Sequence, residues 1–261
     1  MGMSGPRRLQ QPRGWAFGFC VAIAKPLLLL FTKRRWTGGD HIPETGGCVL
    51  AANHISHLDP FTCAHFVYGH GRIVRFLAKA EIFDLPVLGR IVRAAGQIPV
   101  HRLTTSASSS YTAAVEAVQA GECVIVYPEG TITRQPDLWP MRGKTGAARI
   151  ALASGVPVIP VAQWGAQHIL PPYTKRPLLL PRKTISMAAG PPVDLDDLRA
   201  APLTPAVLQE ATDRIMGDIT GLLEGIRGEP APAERYDPRA TGVRPIGNPN
   251  AGTHPRDRRR R

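Results

Sequence analysis

The segment Cys48-Val49-Leu50-Ala51-Ala52-Asn53-His54-Ile55-Ser56-His57-Leu58-Asp59-Pro60 decides the fold of this chain. Five apolar residues run into polar, titratable ones. That is the pattern of a buried strand whose C-terminal end opens into a surface crevice, where open α/β sheets keep their chemistry. Asp59-Pro60 then reads as a helix start, because Asp accepts from free amide groups and Pro is pre-set for the first helical position. His54 and Asp59 are five residues apart, which on one helix would place them about 140° out of register. They meet only across a strand-to-helix turn, which this reading supplies. A His held by a carboxylate is a general base suited to a hydroxyl nucleophile. From these two residues alone, a plain helix cap at Asp59 and a polar strand end at His54 account for the pattern equally well.

Downstream, apolar runs at 73–78, 97–102, 123–127, 156–162 and 184–189 predict further strands, and the two prolines of the 156–162 run point to an edge or irregular one. Helical patterns fall between them at 59–68, 82–95, 106–119 and 144–153. This alternation predicts an α/β fold with a mixed, largely parallel sheet flanked by helices. Residues 204–226 give the strongest helical pattern, with Thr204 as cap, Pro205 at the first position and a stripe of Leu208, Ala211, Ile215, Ile219, Leu222 and Ile226 for the core.

A net charge of +12 suggests an anionic partner, and its placement decides which. The first 35 residues carry seven Lys and Arg and no acid, the last 35 nine Arg against four acids, and residues 36–226 balance at sixteen against sixteen. A basic groove for nucleic acid therefore has no support in the folded middle. Residues 15–31 are apolar except for Lys25-Pro26, too short and too interrupted to span a bilayer. With Arg7, Arg8 and Arg13 on one side and Lys33, Arg34 and Arg35 on the other, they fit a one-leaflet helical anchor, with a signal peptide or a plain amphipathic core helix as competing readings. The expected organisation is thus an anchoring segment over 1–35, an α/β domain over 36–227 and a disordered basic tail over 228–261. Four scattered cysteines predict free thiols and no zinc site. Neither a phosphate-cradling glycine loop nor a G-x-S-x-G elbow occurs.

Taken in order, Asn53-His54-x-x-x-x-Asp59, Gly96-x-x-x-x-His101-Arg102, Tyr127-Pro128-Glu129-Gly130-Thr131 and Val156-Pro157-Val158-Ile159-Pro160-Val161 resemble the four blocks of the 1-acylglycerol-3-phosphate acyltransferases, within the glycerolipid and lysophospholipid acyltransferase superfamily. The resemblance covers residues 36–190. It implies transfer of a fatty acyl group from acyl-CoA or acyl-carrier protein, as co-substrate, to the free hydroxyl of a lysophospholipid at a membrane surface, with no cofactor and no metal; the positive charge on both flanks of residues 15–31 favours the cytoplasmic face. Such an acceptor is typified by 1-acylglycerol-3-phosphate, which would give phosphatidic acid. By the same resemblance His54 is the general base, Asp59 its orienting partner, and Arg102, Glu129, Gly130 and Thr131 bind the acceptor. In one respect the chain departs from the pattern: where the family has Glu-Gly-Thr-Arg, here Thr131 is followed by Ile132-Thr133-Arg134. Either Arg134 reaches the phosphate from a bulged loop, or Lys144 joins Arg102 there. Backbone amides in the turn after His54 are candidates for the oxyanion site. Other lysophospholipid or glycolipid acceptors, a hydrolase using the same pair on water, and a non-catalytic membrane adaptor are the alternatives.

Overall fold

The computed structural model describes residues 7–100 and 107–240. In chain order the elements are α1 (Trp15–Phe31), β1 (Thr32–Thr37), β2 (Cys48–Ala52), α2 (Asp59–Gly69), β3 (Val74–Lys79), α3 (Ala80–Phe83), α4 (Leu88–Ala94), β4 (Ile98–Val100), α5 (Ala107–Gln119), β5 (Cys123–Val126), α6 (Gly146–Ser154), β6 (Val158–Trp164), β7 (Lys183–Ala189), α7 (Asp196–Arg199) and α8 (Pro205–Arg227). One sheet orders its strands β1-β7-β6-β2-β5-β3-β4. Every pairing is parallel except β6 with β7.

β2 lies at the centre, buried along its whole length between β5 and β6. Its side chains alternate between two cores, as the period of two requires. Cys48, Leu50 and Ala52 pack with Phe17 of α1 and Cys63, Phe66 and Val67 of α2. On the opposite face Val49 and Ala51 pack with α5, α6 and the Leu208, Ala211, Ile215 and Ile219 stripe of α8. Thr204 caps α8 as expected, its hydroxyl accepting from the Val207 amide at 3.3 Å, and Gly228 ends it in a left-handed turn at φ 72°.

Three expectations are corrected. Lys33–Trp36, read as the basic flank of an anchor, forms most of β1, which pairs parallel with β7 and crosses the expected boundary at 35. β6 is an interior strand despite Pro160. A residue's amide and carbonyl point to the same side of a strand, and the Pro160 carbonyl accepts from Gly190 at 3.0 Å on the β7 side. The β6–β7 ladder begins only at Val161, so the missing amide falls where no rung is needed. Residues 229–240, expected in a disordered tail, are tied to the body: the Arg142 amide donates to the Tyr236 carbonyl at 3.0 Å, and Arg235 pairs with Asp213 at 3.2 Å. Just before them the Arg227 guanidinium lies between Trp139 and Trp164, 4.1 and 4.2 Å from the ring centres. The rest of the expected tail lies outside the described residues. A smaller difference is that the 82–95 pattern splits into α3 and α4 around Pro86.

Among the described residues no helix is long and apolar enough to cross a membrane. Within α1 only Ala16, Phe17 and Leu28 are buried, while Trp15, Phe19, Ile23, Leu27 and Leu30, spaced four, four, four and three apart, form an exposed apolar stripe. An ordinary surface helix turns such a stripe inward. Cys48, Cys63 and Cys123 are buried free thiols, and Cys20 is an exposed one.

Candidate active site

At Ala52 the backbone ladder between β2 and β6 ends, at the pair Ala52 with Val161. Two amide side chains continue it. Asn53 Oδ1 accepts from the Gln163 amide at 2.8 Å, Asn53 Nδ2 donates to the Gln163 carbonyl at 3.1 Å, and Gln163 Nε2 donates to the Asn53 carbonyl at 2.8 Å. Gln163 Oε1 accepts from Thr62 Oγ1 of α2 at 3.2 Å. All three residues are buried, so their polar groups must find partners within the protein.

The next residue is His54, 16% exposed, whose Nδ1 lies 2.7 Å from Oδ2 of the fully buried Asp59. The same oxygen accepts from the amides of Ile55 at 2.6 Å and Ser56 at 2.8 Å. Asp59 opens α2, but its carboxylate reaches back to amides upstream of the helix instead of capping helical ones, which removes the plain-cap reading. A carboxylate fed by two amides is held as an acceptor, so the His54 proton on that side sits on Nδ1. Nε2 is left facing away from Asp59, with no hydrogen-bond partner among the described residues. The first two amides after His54 are both taken by Asp59, so the turn does not offer them to an oxyanion.

Tyr127 stacks under the imidazole, ring centres 4.3 Å apart and planes 19° from parallel. Ser56 Oγ donates to the Leu170 carbonyl at 2.7 Å and accepts from the Leu58 amide at 3.1 Å, joining the turn to the segment after β6. Tyr173 Oη donates to the Ile132 carbonyl at 2.7 Å, and the exposed His57 meets the Tyr173 ring edge-on. Of these supports, Tyr127 is a named residue of a block the sequence singled out, and Ser56 lies inside the first block at an unassigned position. Gln163 and Ser56 carry no signal beyond being polar residues next to apolar runs.

Glu129, expected on the acceptor, is 2% exposed, and both its oxygens face backbone. Oε1 accepts from the His54 amide at 2.9 Å and Oε2 from the Met141 amide at 3.0 Å. Thr133 completes the clasp, its amide donating to the His54 carbonyl at 2.7 Å. Burial pushes the Glu129 carboxyl up to about 8, against the lowering pull of those hydrogen bonds, and the Asp59 charge adds to the rise. A carboxyl raised on folding makes the native state bind more protons than the unfolded one. Its contribution to stability should therefore fall as pH climbs from about 5 through 8. His57, His65, His70 and His168, all held low by burial, push stability the other way over part of that range, so Glu129 is isolated by the difference between wild type and Glu129→Gln. The advantage of the wild type, about 1–3 kcal/mol near pH 5 because an amide NH₂ in the variant confronts a backbone N–H, should shrink as pH climbs through 8 in denaturant unfolding of the two proteins. An advantage that grows with pH would contradict this.

Gly130 turns the chain at φ 69°, and a β-carbon there would lie 2.8 Å from Lys144 Nζ. The left-handed conformation is what favours glycine here, since the ammonium ends a flexible side chain that can move aside. Lys144 is exposed, and its amide donates to the Pro128 carbonyl at 2.8 Å. Thr131 is half-buried on the same loop. Arg134, also half-buried, follows the Thr133 tether, and its amide points to Met141 Sδ at 3.1 Å. Arg102 lies outside the described residues, beyond the end of β4 at Val100. Among the described residues no group of His, Cys, Asp and Glu is arranged to hold a metal ion.

Comparison with known proteins adds the following. A family model described as Acyltransferase matches residues 33–164. The 1-acyl-sn-glycerol-3-phosphate acyltransferase BAT2, chloroplastic, of Brassica napus is 33% identical over 143 residues, which are 54% of this chain and 40% of that protein. A 1-acyl-sn-glycerol-3-phosphate acyltransferase of Borreliella burgdorferi is 27% identical over 150 residues, 57% of each. Aligned segments thus span about half the length of these curated relatives. Among solved structures, the 1-acyl-sn-glycerophosphate (LPA) acyltransferase PlsC from Thermotoga maritima superposes with a TM-score of 0.61 at 22% identity, covering 82% of this chain and 81% of that one. That likeness speaks to the fold.

Proposed function

The chain belongs to the acyltransferase family, and from that premise we propose that it moves a fatty acyl group from acyl-CoA or acyl-carrier protein to the free hydroxyl of 1-acylglycerol-3-phosphate, giving phosphatidic acid. The observation that carries this reading is the His54–Asp59 pair at 2.7 Å, set at the open end of the central strand. With Nδ1–H directed to Asp59, Nε2 takes the proton of the acceptor hydroxyl while that oxygen attacks the thioester carbonyl carbon. Collapse of the tetrahedral intermediate breaks the C–S bond, and the proton on Nε2 leaves with the thiolate. No covalent enzyme intermediate is needed. General-base help contributes about 10² to 10⁴ in rate, and positioning of the two substrates up to roughly 7–11 kcal/mol of the barrier.

Glu129 serves this chemistry indirectly, by holding the His54 amide and the Met141 loop. Arg102 and Lys144 are the groups we assign to the acceptor phosphate, the guanidinium by paired hydrogen bonds and the ammonium as a point charge. The outward stripe of α1 supplies attachment to a membrane surface, which we place on the cytoplasmic side.

The test is a lipid-product assay with labelled acyl donor and a panel of lyso-acceptors, repeated on three variants. Arg102→Ala should raise the acceptor KM most, Lys144→Ala less, and Arg134→Ala little, each with donor KM nearly unchanged. A dominant effect of Arg134→Ala would move the phosphate site to the loop after Thr131. An acceptor KM indifferent to all three would remove the phosphate site, and no labelled phospholipid with any acceptor would remove the activity.

A further inference from the structure

Chain direction gathers several features on one edge of the sheet. β2, β5, β3, β4 and β6 run parallel and end on the edge that carries His54. β7 runs antiparallel to β6, and β1 runs parallel to β7, so both begin on that edge. The end of α1, which leads into β1, and the connection from β6 to β7 therefore lie on the same edge of the sheet as the site, β1 three strands along from β2.

That connection has an unusual surface. Leu178, Leu179 and Leu180 are 55%, 36% and 74% exposed, three consecutive leucines in water. They are not on a loose loop. Tyr173 is pinned to Ile132 at the site end, the Leu178 amide donates to the Ile169 carbonyl at 2.7 Å, and Arg182 Nη2 donates to the carbonyls of Leu29 at 2.9 Å and Thr32 at 2.7 Å. Thr32 and Lys183 pair across β1 and β7, and with Arg182 they tie the chain just after the leucines to the C-terminal end of α1. Lys175, Arg176, Arg182 and Lys183 flank them, and no acid occurs from residue 169 to 193 or from 15 to 39. Exposed leucines between long cationic side chains match a bilayer interface, where apolar tips enter the acyl region and charges stay with anionic headgroups.

We propose that residues 171–182 form a second membrane-inserting element, which together with α1 seats the His54 edge of the sheet on an anionic bilayer. This rests on the acyl-transfer reading only for its consequence, namely that a lipid-borne acceptor reaches His54 from the leaflet without leaving it. Insertion itself is independent of that chemistry.

The test uses the full chain and the double variant Leu178→Asp/Leu180→Asp, whose positions are exposed enough to accept charge without loss of fold; unchanged thermal unfolding checks this. Binding is measured to vesicles of phosphatidylcholine alone and with phosphatidylglycerol. Wild type should bind the anionic vesicles in preference, and the variant should lose about tenfold or more in partitioning. Turnover of a monomeric short-chain acceptor should stay within about twofold of wild type, while turnover of bilayer acceptor falls with binding. Undiminished vesicle binding overturns the proposal, as does an equal loss on monomeric and bilayer acceptors. A shift in oligomeric state without vesicles, in place of a binding defect, would assign the leucines to a second copy of this chain instead. If wild type transfers no acyl group to any acceptor, the chemical reading fails while the vesicle measurement still decides this one.

Discussion

Replacing His54 by alanine is expected to cut acyl transfer by at least about 10², with the fold intact. The ring is packed on one face only, by Tyr127, and its backbone ties to Glu129 and Thr133 do not involve the imidazole. Alanine keeps those ties and removes the nitrogen proposed to accept the hydroxyl proton. KM for either substrate should change little, because the loss falls on a group used in the transition state. The measurement is kcat with saturating acceptor and donor, beside a thermal melt. A variant retaining more than a tenth of the rate would leave His54 as a structural residue and sink the mechanism.

Asp59→Asn is the sharper experiment, because it separates two jobs performed by one oxygen. Oδ2 receives the amides of Ile55 and Ser56 as well as the imidazole. An asparagine oxygen in the same place keeps the amide bonds, so the turn should form and stability should fall by only about 1–2 kcal/mol. What disappears is the negative charge that supports the imidazolium and the bias toward the Nδ1–H tautomer. The rate should then drop by about 10² or more. Activity within a few-fold of wild type would make Asp59 a turn-forming residue and nothing else. Collapse of the fold would show that its charge is needed to bury the turn at all.

The central strand, the turn after it and the helix opening at Asp59 could be read in advance because each rests on short-range rules: an apolar run, an acceptor beside amides, a proline at a first turn. So could α8, whose stripe repeats for six turns. β1 escaped because an edge strand has one paired side and exposed faces. Lys33, Arg34 and Arg35 suit such an edge, where charge discourages pairing with another chain, yet the same residues look like a membrane flank. β6 was misplaced because a proline rule concerns the side on which an amide is missing, and composition does not reveal sides. Nothing local in the sequence distinguishes a carboxyl aimed at a crevice from one that, like Glu129, accepts from backbone amides 75 and 12 positions away. Residues 229–240 carry too little apolar content to predict order, and Asp213, Arg142 and Glu224 of the body hold them.

The amide splice between Asn53 and Gln163 bears on how the reactive group comes to be ready before any substrate arrives. Ordering one residue's backbone costs about 1–2 kcal/mol in conformational entropy, and more if its side chain is frozen too. At Asn53 that loss is incurred while the sheet assembles, by contacts within the protein to Gln163, 110 positions along the chain. His54, one peptide further on, inherits a rigid foothold. In the reaction proposed above, binding energy from the two substrates would then go into bringing them together and not into setting His54.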